Sequence, residues 1–305
     1  MQIRYLDRNK IDSGRWNEVI AHSPVETLYP YSWYLDAVAE QWSALVMEDY
    51  RFIMPLVWKR KMGISYLYQP FHTQQLGVFS REYVDPPVIT GMLSKLPRRF
   101  LAATIHFNTG NLVGEAGNYD LSDLTNYALE LNRSYAELSG SFSNNAKRNI
   151  RKAYELNDHI EKVMDTDELV GFKRANDQIS RSEEQYNMLA GLLKAIGQHV
   201  ESEVYVSRDR RGNLEAAAFF GFSKTRAIYL VSASTESGKE NRCMFKLVDA
   251  FIREHAGSGL ILDFEGSNLP SVARFFSGFG ARPETYQRIS FNKLYRVLKI
   301  IVRNV

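Results

Sequence analysis

From Glu203 to Ala233 the chain reads EVYVSRDRRGNLEAAAFFGFSKTRAIYLVSA. Three runs rich in Val, Tyr, Phe and Ile, Glu203 to Ser207, Leu214 to Phe222 and Arg226 to Ala233, are divided by Arg208-Asp209-Arg210-Arg211-Gly212-Asn213 and by Ser223-Lys224-Thr225. Short β-prone runs separated by turn residues predict an antiparallel meander. Upstream, Thr166 to His199 places Leu169, Phe172, Met188, Leu189, Leu192, Leu193 and Ile196 at helical spacings.

The same order occurs earlier. Ile11 to Gln41 reads as helix, with Trp16, Val19, Ile20, Trp33, Leu35, Ala37 and Val38 on its apolar stripes and breaks near Ser23-Pro24 and Pro30. Three short strands follow, Ala44 to Glu48, Arg51 to Trp58 and Ile64 to Gln69. Helices followed by a three-strand meander thus recur at an offset of roughly 160 residues, the mark of a duplicated unit. At 305 residues the chain has room for two such domains. After the second meander come a helix over Glu240 to Glu254, a strand over Leu260 to Glu265, a helix over Leu269 to Ser277 and a strand over Tyr286 to Phe291.

That element order resembles the GNAT acyltransferase fold. The expected class is α/β, a mixed sheet with flanking helices, in two tandem GNAT-like domains at 1–150 and 151–291. A C-terminal helix at 292–305 is expected to pack back on the first domain. FSNNAKRNIRKA at Phe142 to Ala153, DFEGS at Asp263 to Ser267 and FFSGFGA at Phe275 to Ala281 further resemble the Fem-type peptidyltransferases and their FemAB-like relatives. The resemblance covers nearly the whole chain and implies transfer of an acyl or aminoacyl group to an amine, on a cell-envelope precursor or saccharide. It also implies aminoacyl-tRNA as one candidate donor. Where Fem proteins carry a lysine implicated in stabilising the charge that develops during transfer, this chain has Phe276. The stretch that holds a precursor-binding lysine in the best-known member reads Tyr34-Leu35-Asp36 here.

Composition bounds the alternatives. A hydrophobic content of 45% excludes a disordered chain, and a net charge of +3 argues against a protein that coats nucleic acid by bulk charge. The single cysteine, Cys243, cannot close an internal disulfide, and no Cys/His spacing predicts a metal site. The N-terminus lacks a signal-like apolar run, and no stretch is long enough to cross a bilayer. The expected location is cytoplasmic, at most peripheral to the inner membrane face.

Several clusters are candidates for chemistry. Asp263 and Glu265 alternate along a strand and so point to one side at its end, where a carboxylate can accept a proton from, or orient, an attacking amine, or else pair with basic neighbours or cap the helix beginning near Leu269. Lys147, Arg148, Arg151 and Lys152 share one helical arc, suited to phosphates of a nucleotide sugar, coenzyme A or a tRNA acceptor stem, or simply to solvent. Tyr68, Phe71, His72, Gln74 and Gln75 leave the first meander as a loop of flat and hydrogen-bonding groups, and with Ser267 they are substrate-binding candidates. The turn Thr235 to Arg242 has one glycine and does not match the phosphate-cradling GNAT motif, but Lys239 and Arg242 could meet donor phosphates directly. No tightly bound cofactor is expected, and the donor is an acyl-CoA or an aminoacyl-tRNA. The terminal segment puts Lys293, Arg296, Lys299 and Arg303 on one helical face, which suits docking on the first domain or contact with an anionic membrane. Two other readings stay open: an acyl-CoA-dependent acetyltransferase of polysaccharide or amino-sugar metabolism, and a non-catalytic ligand-binding protein.

Overall fold

In the computed structural model the chain divides into two units, Met1–Leu124 with Thr285–Val305, and Thr125–Glu284. The structure describes residues 2–114, 118–156, 159–163, 165–177, 179, 181–266 and 269–293. The expected terminal helix therefore lies, beyond residue 293, outside the described residues.

The first unit opens with β1 (Ile3–Asp7), α1 (Ser13–Ala21) and α2 (Ser32–Val38). Asp12 caps α1 by accepting from the Arg15 amide at 3.1 Å. The meander is β2 (Gln41–Met47), β3 (Phe52–Lys61) and β4 (Ile64–Leu67), followed by β5 (Phe79–Ser80), α3 (Pro86–Ser94), β6 (Phe100–His106) and β7 (Asp120–Glu130), which runs on into the second unit. Glu48, Asp49 and Tyr50 all take positive φ to turn the chain between β2 and β3. Pro55 is tolerated inside β3 because the edge away from β2 is open there: β5 covers Phe52 and Ile53, and β4 covers Trp58 to Lys61. β4 then lies parallel to β6, with Tyr66 opposite Ala102 and Leu67 opposite Ala103.

The second unit continues with α4 (Tyr135–Gly140), α5 (Asn144–Glu155), β8 (His159–Val163), α6 (Thr166–Asn176) and α7 (Glu183–His199). Its meander is β9 (Ser202–Arg208), β10 (Leu214–Phe222) and β11 (Arg226–Ser234). There follow α8 (Glu236–Glu240), α9 (Cys243–His255), β12 (Ile261–Asp263), α10 (Pro270–Gly278) and β13 (Arg282–Asn292), whose far end joins the first unit and pairs with β6. The small residues Ala216 and Ala218 on β10 let α9 settle on the sheet, where Phe220 and Phe251 stack with centroids 3.9 Å apart.

Two local expectations change. The helix expected over Glu240 to Glu254 is split, because Arg242 adopts φ 61° and α9 starts only at Cys243. The strand expected to run to Glu265 ends at Asp263, and Glu265 takes φ 57°. The alternation that would place both carboxylates on one side is therefore broken.

Candidate functional site

In the second unit β11 and β12 run parallel, but they pair only where Arg226, Ala227 and Ile228 meet Ile261, Leu262 and Asp263. β11 continues to Ser234 after β12 has stopped. The uncovered end of β11, with Tyr229, Ser232, Ala233 and Ser234, forms one wall of a cavity of about 520 Å³. Parallel strands that part in this way expose backbone groups at the strand ends, a recurrent place for ligands in α/β sheets.

A second wall is the turn between β11 and α9, built around Glu215 of β10. The Glu215 carbonyl accepts from the Thr235 amide at 3.0 Å, and its buried carboxylate accepts from Asn241 Nδ2 at 3.0 Å. Thr235 Oγ1 in turn accepts from the Gly238 amide at 2.9 Å. A Cβ on Gly238 would lie 2.1 Å from the Glu215 carbonyl oxygen, so only glycine fits. This frame presents Lys239 and Arg242 to the cavity. Lys239 pairs with Glu236, and Arg242 Nη1 donates to the Lys239 carbonyl at 3.2 Å.

The third wall carries Lys173, Asp177 and Arg181 in one ion-paired row. Arg181 Nε sits 2.6 Å and Lys173 Nζ 3.6 Å from Asp177 Oδ2, and all three side chains are largely buried. Lys173 also donates to the Ser232 carbonyl at 3.2 Å. Burial lowers the Lys173 pKa below that of an ordinary lysine. Burial works against the Asp177 carboxylate, yet the bond from Arg181 and the charge of Lys173 outweigh it and hold its pKa below the usual range. Phe245, Phe275, Phe276 and Val272 line the apolar side, with the Phe245 and Phe275 rings packed edge to face at 4.7 Å. Among the described residues the lining thus combines four cations, a single carboxylate and an aromatic side.

The structure brings Lys239, Arg242 and Phe276 of the sequence reading together here. Asp263 is buried outside the lining: its Oδ2 meets Arg226 Nη1 at 2.9 Å and its Oδ1 accepts from the Glu265 amide at 2.9 Å. Arg226 reaches Glu284 as well, at 3.4 Å. Burial pushes the Asp263 carboxyl up against the pull of Arg226. Glu265 is half-buried and Ser267 lies outside the described residues. Lys147, Arg148, Arg151 and Lys152 are exposed on α5. Lys147 donates to the Gly140 carbonyl at 2.7 Å, and Lys152 to the Glu240 carbonyl at 3.3 Å, which puts the end of α5 against the Gly238 turn.

Tyr68, Phe71, His72, Gln74 and Gln75 belong to the first unit and do not line this cavity. Their loop is spent largely on its own chain. Gln75 Oε1 accepts from the Thr109 amide at 3.0 Å, the Gln74 carbonyl meets His106 Nδ1 at 3.1 Å, and the His72 carbonyl accepts from the Tyr34 hydroxyl. The Tyr68 hydroxyl is buried, and Phe71 is exposed.

Sequence reasoning missed Lys173, Asp177 and Arg181. The i, i+4 spacing of Lys173 and Asp177 on a helix-patterned stretch was a visible signal, whereas Arg181 lies beyond α6, which ends at Asn176. It also missed Glu203, Glu254 and His255, whose ligand atoms lie within 4.8 Å of one another. Lys162 Nζ pairs with both carboxylates there, so the cluster already holds a cation of the chain itself.

Neither family models nor curated proteins match this chain. Solved structures do. FemX is similar over 94% of this chain and 97% of its own, with a TM-score of 0.65 at 11% identity. A tandem GNAT protein from the clavulanic acid biosynthesis pathway is similar over 96% and 99%, with a TM-score of 0.59 at 8% identity. The chain has a FemAB-like tandem GNAT fold. The C-terminal domain of a putative lysylphosphatidylglycerol synthetase from Agrobacterium fabrum shares it over 95% of this chain and 94% of its own, with a TM-score of 0.57 at 9% identity. No described helix is long and apolar enough to cross a membrane.

Proposed function

We propose that the protein is an N-acyltransferase that moves an acyl or aminoacyl group from an activated thioester or ester to an amine of a cell-envelope precursor or saccharide, in the cytoplasm. One observation carries this reading: the cavity where β11 and β12 part is cationic on two walls and aromatic on another. A donor of this class has phosphates at one end and an acyl group at the other. Lys239 and Arg242 suit the phosphates, and Phe275, Phe276 and Tyr229 suit the acyl end.

An ammonium has three donors. Ser232 takes one of those of Lys173 and Asp177 pairs with its charge at 3.6 Å, so a donor remains for the carbonyl oxygen of the bound acyl group. As the amine nitrogen attacks, its bond to the acyl carbon forms, negative charge gathers on that oxygen, and the carbon–sulfur or carbon–oxygen bond breaks. The proton lost by the amine leaves with the departing thiol or alcohol. Cys243 is buried and donates to Glu215, which supports direct transfer over a cysteine-bound intermediate.

Calorimetric titration with acetyl-CoA and with aminoacyl-tRNA tests the proposal. Micromolar or tighter binding of one donor is expected, weakened about tenfold by Lys239→Ala or Arg242→Ala. Binding of neither donor would overturn it.

A further inference from the structure

The first unit carries a charged surface that the proposed chemistry does not use. The hairpin joining β3 to β4 closes with Lys61 opposite Ile64, and Gly63 at φ 81° makes the turn. At its apex Met62 is 92% exposed, next to exposed Arg60 and Lys61. A methionine this bare at the tip of a hairpin contributes nothing to the core.

The sheet brings more cations to the same end. β4 and β6 are parallel and begin together, with Ser65 opposite Phe100, so the loop ahead of β6 with exposed Lys95 and Arg98 lies beside the hairpin. β13 runs antiparallel to β6 and ends there too, with Asn292 opposite Ala102, and Lys293 Nζ reaches the Phe100 carbonyl at 3.4 Å. Arg60, Lys61, Lys95, Arg98 and Lys293 make no ion pair among the described residues. Glu40, just ahead of β2, is paired with Lys59 at 3.6 Å.

We infer that this end of the first unit docks on an anionic phospholipid bilayer, with the cations over the lipid phosphates and Met62 entering the headgroup boundary. Charge alone would also fit a nucleic acid. The apolar apex favours a bilayer, which takes both a cation and a thioether at one depth. Single-stranded nucleic acid would ask for open aromatic platforms, whereas Trp58 and Tyr66 on the hairpin are half-buried.

The test uses the full chain and sedimentation with vesicles of phosphatidylcholine, alone or with about 30% phosphatidylglycerol. Binding only to the anionic vesicles is expected, falling steeply between about 0.1 M and about 1 M salt. Each cation near such a surface contributes roughly fivefold, so Arg60→Glu with Lys61→Glu should weaken binding at least 25-fold on the order of that estimate, with the circular dichroism unchanged. In a second arm, Met62→Cys carries an environment-sensitive dye. Cys243 is buried and will not compete for the label. The dye should brighten on anionic vesicles. Equal binding to both vesicle types, no loss in the double variant, a silent dye, or an oligonucleotide bound at this hairpin with vesicles ignored would each overturn the inference.

Discussion

Each unit follows its meander with a parallel neighbour, β6 beside β4 in the first and β12 beside β11 in the second, yet the space beyond the pairing differs. In the second unit it is a cavity of about 520 Å³, whereas the corresponding place in the first holds about 10 Å³. The reason lies in what the chain does next. β11 runs on as a strand past the end of β12. β4 stops at Leu67, and the following loop turns back into the gap: Gln69 Oε1 accepts from the His106 amide at 3.2 Å, and Leu76 bridges to Phe107. The same topology therefore gives one open cleft and one cleft plugged by its own sequence.

The largest effect is expected at the root of the open cleft. Arg226 on β11 and Asp263 on β12 hold the two strands together before they part. Arg226→Met leaves a buried carboxylate without its cation and should cost about 3 to 5 kcal/mol in chemical denaturation. Pairing it with Asp263→Leu should recover most of that loss. If the double variant were as unstable as the single one, the pair would not be what closes the root.

Next comes the cavity wall. Lys173→Met should lower transfer by roughly 100-fold to 1000-fold, about 3 to 4 kcal/mol, while donor binding changes little. Single-turnover rates beside calorimetric binding separate these. A variant that lost binding and kept its rate when saturated would make Lys173 a docking group.

Acid should distinguish the units by a smaller margin. Burial opposes the charge of Glu203 on β9, but hydrogen bonds from His255 and Lys162 prevail and bring its pKa to about 2, from an ordinary 4.5. A depressed carboxyl gives its stability above pH 4.5 and loses it as pH falls towards 2. Partial exposure reduces the contribution to about 2 kcal/mol. Asp177, lowered by Arg181, has the same sign. The plug of the first unit relies on neutral amides; burial also opposes the Asp36 carboxylate there, and bonds from Arg8 and Trp42 lower its pKa, by less than at Glu203. All four tryptophans, Trp16, Trp33, Trp42 and Trp58, lie in the first unit, so their fluorescence reports on it alone. On acidification, circular dichroism should change before tryptophan emission, and Glu203→Gln should narrow the gap. Coincident transitions would contradict this.

The contrast also explains what was legible from residues alone. Both meanders, their helices and the tandem architecture follow from local periodicity and turn chemistry, which the chain states every few residues. The cleft does not. It depends on where β12 stops, and Asp263-Phe264-Glu265 reads as uninterrupted strand until the φ of Glu265 is known. Burial is equally non-local: Asp263 lies buried against Arg226, a partner far off in sequence that no local pattern names. That Lys239 and Arg242 line the cavity fits a turn between strand and helix, which faces outward wherever it is packed. Gln74, Gln75 and His72 offered the right groups for a ligand, and only tertiary contacts reveal how many of those bonds the chain itself has taken.

The smallest expected effect asks whether the plug alone separates the two clefts. Gln69 holds two backbone groups: its Oε1 accepts from the His106 amide, and its Nε2 donates to the Thr73 carbonyl at 2.8 Å. Gln69→Ala strands both at a half-buried site that water can partly reach, which should cost about 1 kcal/mol and widen the gap. It should not create a second donor site. The residues around that small space are Pro55, Leu56, Val57, Leu67, Tyr68, Gln69, Leu76, Thr104 and Ile105, with no cation to replace the row of Lys173, Arg181, Lys239 and Arg242. Calorimetry on Gln69→Ala should therefore return the same donor stoichiometry as the unaltered chain. A doubled stoichiometry would mean that shape alone, without the cationic walls, makes the site.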